Sequence, residues 1–356
     1  MKRSMIAASQ LTFALGTFSD TDGSPFGGVV IGDRVVSLET LRPQIPALRG
    51  QGGSPISILS LLEDWSANFP ALRRAAQSLL KDEGKAPVDS KALVPVSQLK
   101  IHPPVWLPRQ VFCAGANYRK HVIDLIVDQA AGTPPGTSPE ERRAQATKLM
   151  DDRAAQGAPF IFSKAPSAIT GACDPVILPG HARKPDWELE LGVIIGRYAH
   201  HIRREQALEC IAGYTIVNDI TDRDLVFRKD IGAIGADWVA SKCSPSFMPM
   251  GPYLVPAEFV PDPQNLQLML KLNGEVMQNE STADMIFGVA RIVEALSAYV
   301  QLWPGDLIAT GSPAGNGTHY NRFLKPGDVI EGSITGLGKQ RNMCVAEEAE
   351  AHASRL

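Results

Sequence analysis

Two acids one residue apart interrupt an otherwise apolar run, Asp186-Trp187-Glu188-Leu189-Glu190-Leu191-Gly192-Val193-Ile194-Ile195. The run predicts a β-strand. Side chains alternate along a strand with period two, so Glu188 and Glu190 point to the same face. Two like charges roughly 6–7 Å apart repel by about 2–3 kcal/mol at an effective dielectric near ~20. Burial of both adds a large dehydration cost. A bound cation neutralises such a pair most simply; arginine partners or exposure at a sheet edge are the other solutions.

A second candidate is His121 with Asp124, three residues on. If the segment after Gly115 is helical, the two share a face and can hydrogen-bond. A carboxylate that orients an imidazole raises its basicity, as a general base requires. A surface histidine with an incidental acid reads the same way. Further along, an apolar strand ends at Asp219, Arg223 and Lys242 follow, and Thr310-Gly311-Ser312-Pro313-Ala314-Gly315-Asn316-Gly317 is a glycine-rich loop at a strand end. Its amides suit an anion such as a carboxylate, or it is a plain tight loop. It lacks the Lys-Ser/Thr ending of a phosphate-binding loop. Glu188, Glu190 and Asp219 together would be an all-oxygen donor set, which favours Mg²⁺, Mn²⁺ or Ca²⁺ over Zn²⁺.

These residues need a scaffold, and 356 residues suffice for a large domain and a smaller one. A net charge of -3 makes no electrostatic case for nucleic acid or an anionic membrane. No stretch is apolar and long enough to span a bilayer, and Ser9, Gln10 and Thr12 break the N-terminal apolar run after Lys2-Arg3. The five cysteines are scattered without a CxxC pair, which fits a reducing cytoplasm and argues against a zinc site. Residues 1–100 read as a small N-terminal α/β domain. It holds a hairpin turning at Gly32-Asp33, a helix carrying Ile58, Leu61, Leu62 and Trp65, and a second helix from Pro70 to near Gly84. Pro87 to Pro108 reads as a linker. Residues 105–356 read as the chemistry-bearing domain, with an insert at about 121–158. Within it, 126–158 are mostly polar, and Ser138-Pro139-Glu140-Glu141 predicts a capping box opening a helix to about Ala155, as a lid or a surface helix. Strands and turns dominate from Pro159 to Val345. They include a hairpin at Asn273-Gly274, and one helix carries Ile286, Val289, Ala290, Val293, Leu296 and Val300.

Taken in order, Gly115-Ala116-Asn117-Tyr118 with His121, Glu188-Leu189-Glu190, Asn218-Asp219 with Arg223-Asp224, Lys242, Thr310-Gly311-Ser312-Pro313, and Leu324-Lys325-Pro326-Gly327-Asp328 to Gly336-Leu337-Gly338 resemble the fumarylacetoacetate hydrolase family over roughly residues 105–345. The resemblance implies an α+β, β-rich fold with a mixed β-roll or barrel as catalytic body, usually in a homodimer. It places Mg²⁺ or Mn²⁺, and sometimes Ca²⁺, on Glu188, Glu190 and Asp219. It makes His121 and Asp124 the catalytic dyad and Lys242 the group facing developing charge. Tyr118, Arg223, Gly311 and Ser312 become substrate contacts. The implied substrates are 2-oxo or 1,3-diketo acids.

The chain departs from the family in having Asp124 for the commoner Glu, Val226 for a Gln, Cys243-Ser244-Pro245 after Lys242, Ser312 for the usual Thr, and a longer insert after Asp124. The expected activity is metal-dependent hydrolysis of a carbon–carbon bond in a diketo or acylpyruvate-type acid. The alternatives are a 2-oxo-acid decarboxylase or isomerase/hydratase on the same metal, or a non-enzymatic binder of small acids.

Overall fold

Strand Leu189–Ile195 is buried on both faces, which is why its sequence runs apolar instead of alternating. The computed structural model describes residues 12–20, 23–45, 56–81, 92–129, 134, 136–228, 230–231 and 235–348. Lys2-Arg3, Ser9, Gln10, the helix stop at Gly84, Pro87 and Pro135 lie outside the described residues, as do parts of the expected insert.

Leu189–Ile195 sits near the middle of an eight-stranded sheet, between Leu307–Ala309 and Ile211–Asn218. Leu189, Leu191 and Val193 face one core, where they join Leu268, Leu270 and Ile330 from a second, five-stranded sheet. Ile194 faces the opposite core, with Val111, Val217 and Leu307. Glu190 has the parity of Ile194. It therefore lies on that second face, at the end of the strand where apolar packing gives way to a cleft. The two curled sheets form the half-barrel body of an α+β, strand-rich fold.

The N-terminal residues add another five-stranded sheet and the helices Ile58–Leu62 and Trp65–Lys81. Their core is continuous with the body: Leu15, Val36 and Leu72 belong to the same cluster as Ile194, Val217 and Leu307. Two expectations are corrected here. The second helix starts at Trp65, so Pro70 lies inside it. An interior proline costs a helix about 3 kcal/mol, which the buried face of Ala71, Leu72, Ala75 and Ala76 outweighs. The proline-rich stretch is also more than a connector. Val94–Pro95 and Lys100–His102 are the two edge strands of the N-terminal sheet, where a proline forfeits no ladder bond.

The hairpin Gln267–Leu272 and Glu275–Ser281 turns at Asn273-Gly274, both with positive φ (53° and 85°) as a tight hairpin turn requires. Helix Val289–Ser297 buries Val289, Ile292, Val293 and Leu296, while Ile286 and Val300 fall outside it. Helix Pro139–Gln156 has the expected capping box: Ser138 Oγ accepts from Glu141 N at 3.2 Å, and Glu141 Oε2 accepts from Ser138 N at 2.9 Å. It packs on helix Arg119–Gln129 through Val122, Ile123, Ala146 and Met150. Among the described residues, no helix is long and apolar enough to cross a membrane.

Candidate metal centre and its cleft

Antiparallel pairing brings the acids together. Leu189 lies opposite Asn218, so the residues just outside each strand, Glu188 and Asp219, meet. Asp219 N donates to Glu188 O at 2.9 Å, and Asn218 Oδ1 accepts from Glu188 N at 2.8 Å. One carboxylate oxygen from each of Glu188, Glu190 and Asp219 lies within 4.8 Å of the other two, and all three residues are buried.

The charges around this triad are unevenly balanced. Lys242, on the short helix Trp238–Lys242, donates to Glu188 Oε2 at 2.7 Å, Asp219 Oδ2 at 2.5 Å and Thr221 Oγ1 at 2.6 Å. Those three bonds use every ammonium hydrogen. Lys242 therefore positions the carboxylates, and in this arrangement it has no donor left for a substrate oxyanion. Arg223 Nε donates to Asp186 Oδ2 at 2.8 Å and its Nη2 to Glu188 Oε1 at 2.7 Å, with donors to spare toward the cleft. Burial alone would raise the Glu188 carboxyl, but Arg223 and Lys242 outweigh it and hold it below the usual carboxylate range. Glu190 is the reverse. Burial, then the charges of Asp219 and Glu188, push it well above that range against Lys242 and one amide bond, from Gly311 N at 2.6 Å. A divalent cation would remove that conflict. The all-oxygen donor set and the uncompensated Glu190 both fit one, so the triad can hold a hard divalent metal.

Seven of the sequence-predicted residues line one cleft, and Gly311, Tyr118 and Asp124 do not. Glu188, Glu190, Asp219, Lys242, Arg223, His121 and Ser312 line one cleft of about 620 Å³. Ser312 Oγ accepts from Gln278 Nε2 at 3.0 Å, leaving its own hydrogen for a ligand. Gly311 sits behind the cleft, where its amide serves Glu190. Its φ of 101° and a would-be Cβ 2.8 Å from Asn117 Cβ require glycine. The anion cradled by the glycine-rich loop is thus the protein's own carboxylate. Tyr118 is fully buried and does not line the cleft, and among the described residues its hydroxyl has no hydrogen-bond partner.

His121 and Asp124 share helix Arg119–Gln129 and line a side chamber of about 180 Å³, but Asp124 bonds Arg143 at 2.9 Å instead of His121. Among the described residues nothing hydrogen-bonds the His121 ring. Burial lowers the His121 pKa, with Glu188 opposing and Arg223 assisting, so the imidazole is neutral at pH 7.

Lys164 was not anticipated from the sequence. Its ammonium, with a fully buried side chain, donates to Asp219 Oδ1 and Phe247 O, both at 2.6 Å. Asp186 also escaped notice, although it lies in the opening run. It accepts from Gly317 N at 2.5 Å, Thr318 N at 3.1 Å and Arg223, tying the glycine-rich loop to the cluster. An acid at the start of an apolar strand was the available signal for Asp186.

With its fold and this cleft, the chain belongs to the fumarylacetoacetate hydrolase family: residues 110–345 match the family model "Fumarylacetoacetate (FAA) hydrolase C-terminal". Members of this family are enzymes. The chain is 33% identical over 309 residues to the mitochondrial oxaloacetate tautomerase of Bos taurus, covering 86% of this chain and 82% of the relative. Maleylpyruvate hydrolase from Sphingobium sp. SYK-6, solved with manganese(II) and pyruvate, matches with a TM-score of 0.67 at 26% identity, over 94% of this chain and 100% of that one. The 2-hydroxyhepta-2,4-diene-1,7-dioate isomerase of Mycobacterium marinum matches with a TM-score of 0.62 at 26% identity, over 94% and 99%.

Proposed function

We propose that this protein is a divalent-metal-dependent enzyme that interconverts the enol and keto forms of a 2-oxo acid, with Mg²⁺ or Mn²⁺ on Glu188, Glu190 and Asp219. The observation that carries this reading is the buried acid triad opening into the same cleft as His121, whose ring nothing among the described residues hydrogen-bonds. When bound, the cation supplies a Lewis acid for the 2-oxo-carboxylate. Toward the keto form, neutral His121 would take the proton leaving the enol hydroxyl and pass it to the carbon beside the oxo group. In reverse it would take the carbon proton and pass it to the oxygen, so both directions start from a neutral nitrogen within reach. Ser312 and Arg223 orient the acid. Arg223 and Lys242 keep Glu188 ionised, and Lys164 and Lys242 hold Asp219 in place. Similarity to the oxaloacetate tautomerase supports this reading. A cytoplasmic homodimer with a substrate-covering insert remains part of the proposal.

Carbon–carbon hydrolysis is the second reading, and the side chamber favours it. Lined by His121 and Asp124, it is polar and roomy enough for water, which His121 could activate if Asp124 turned toward it. The test is to follow enol decay by ultraviolet absorbance for oxaloacetate and for a 2,4-diketo acid, with Mn²⁺ or EDTA, while assaying pyruvate release. Mn²⁺-dependent enol decay without cleavage is expected. Pyruvate release from the 2,4-diketo acid at comparable rates would replace tautomerisation with hydrolysis, and pyruvate release from oxaloacetate at comparable rates would replace it with decarboxylation. The absence of both enol decay and release would overturn both readings.

A further inference from the structure

We propose that the substrate carries an apolar, preferably planar, group on the side away from its 2-oxo-carboxylate, and that a second carboxylate there is disfavoured. The inference rests on the 2-oxo-acid reading above and names the substrate class for that site.

The first observation is the wall of the cleft beyond the acid cluster. Phe162 and Trp238 stack with ring centroids 4.6 Å apart and planes 17° apart. Val226, Phe227 and Phe323 continue the lining. The wall begins at the chemistry itself, because Lys242 Nζ lies 5.1 Å from the Phe162 ring centroid and 5.9 Å from that of Trp238. Phe227 is 72% exposed and adds open apolar surface at the mouth of this wall.

The second observation is charge. Binding a distal carboxylate requires an uncommitted cation, and Lys184, Arg223 and Lys242 are the cations lining the cleft among the described residues. Lys242 is spent on Glu188, Asp219 and Thr221. Arg223 is shared between Asp186 and Glu188, and its remaining donors serve the 2-oxo-carboxylate head. Lys184 pairs with Asp224 at 3.2 Å and lies over the Phe323 ring. Asp224 also lines the cleft, so the outer part has no net positive charge with which to attract an anion.

The third observation is size. A cleft of about 620 Å³ falls in the range that holds drug-sized ligands, far larger than a four-carbon diacid needs. An aryl or alkyl tail would fill the remainder against the aromatic wall.

The test is calorimetric titration of the Mn²⁺-loaded protein with oxalate, N-phenyloxamate and N-(carboxymethyl)oxamate. These share the dicarbonyl head and differ in the tail. Burying a phenyl group predicts roughly ten- to a hundredfold tighter binding of N-phenyloxamate than of the carboxymethyl compound. In Trp238→Ala that ratio should fall about tenfold, and in Trp238→Arg it should approach unity or invert. Because each ratio is measured within one variant, a general loss of folding or of metal cancels. Oxalate binding with no phenyl preference in the wild-type protein, or a ratio unchanged in both variants, would overturn this inference alone. Failure of oxalate to bind would overturn the 2-oxo-acid reading and this inference with it.

Discussion

The two sides of the cleft are held by different forces. On the strand side, Lys164 and Lys242 reach Asp219 and Glu188 at 2.5–2.7 Å with nearly no exposure. On the helix side, His121 rides a helix tied down by the Arg119–Asp151 and Arg143–Asp124 pairs, both partly exposed to solvent. Removing one partner of a buried pair costs about 3–5 kcal/mol, whereas an exposed pair contributes about 0–1 kcal/mol. The strand side is therefore a fixed frame for ligands, and the helix side can be adjusted at little cost.

The largest expected effect breaks the frame. Lys242→Met leaves Glu188 and Asp219 short of a shared cation and should lower unfolding stability by about 3–5 kcal/mol in urea titrations of metal-free protein. Added Mn²⁺ should restore part of the loss. Near-wild-type stability without metal would mean that Lys242 does not balance the cluster.

Next is the proton-transfer group. His121→Ala should slow the reaction by about 10²–10⁴-fold, the usual contribution of a general base. Asp124→Asn should stay within about threefold of wild type, since its carboxylate serves Arg143. A large loss in Asp124→Asn would show that Asp124 leaves Arg143 for His121 in the working enzyme. The base acts unprotonated, so activity should fall as pH drops through the His121 pKa. Burial lowers that pKa, so the fall should begin below the ordinary histidine value of about 6.5. An acidic limb at or above that value would argue against His121 as the base.

The smallest effect lies on the adjustable side. Arg143→Ala should change global stability by less than about 1 kcal/mol, yet it should speed amide exchange in helix Pro139–Gln156. Unchanged exchange there would show that packing through Val122, Ile123, Ala146 and Met150 suffices to hold the helix.

The same contrast explains how much could be read from the sequence. Glu188, Glu190 and Asp219 were legible because acids in or beside apolar strands break the local pattern, and the capping box at Ser138 is written in adjacent residues. Lys164 was not legible. It follows a short strand, Phe160–Ser163, and its burial depends on Asp219 and Phe247, which are distant in the chain. The destination of Asp124 was hidden for the same reason: spacing allows a bond to His121, but Arg143, a turn into another helix, competes for it. Pro70 was misread because a helix-start preference yielded to a buried face. The edge strands Val94–Pro95 and Lys100–His102 were missed because their pairing is set by partners far away in sequence.

The central claim is that Glu190 is the uncompensated member of a triad completed by one divalent cation. It is tested most directly by Mn²⁺ equilibrium binding, with free ion read by electron paramagnetic resonance, for wild type and Glu190→Gln at neutral pH. The prediction is one tightly bound ion per wild-type chain and at least a hundredfold weaker binding in a Glu190→Gln protein that remains folded. Equal affinity and stoichiometry in the two proteins would contradict it.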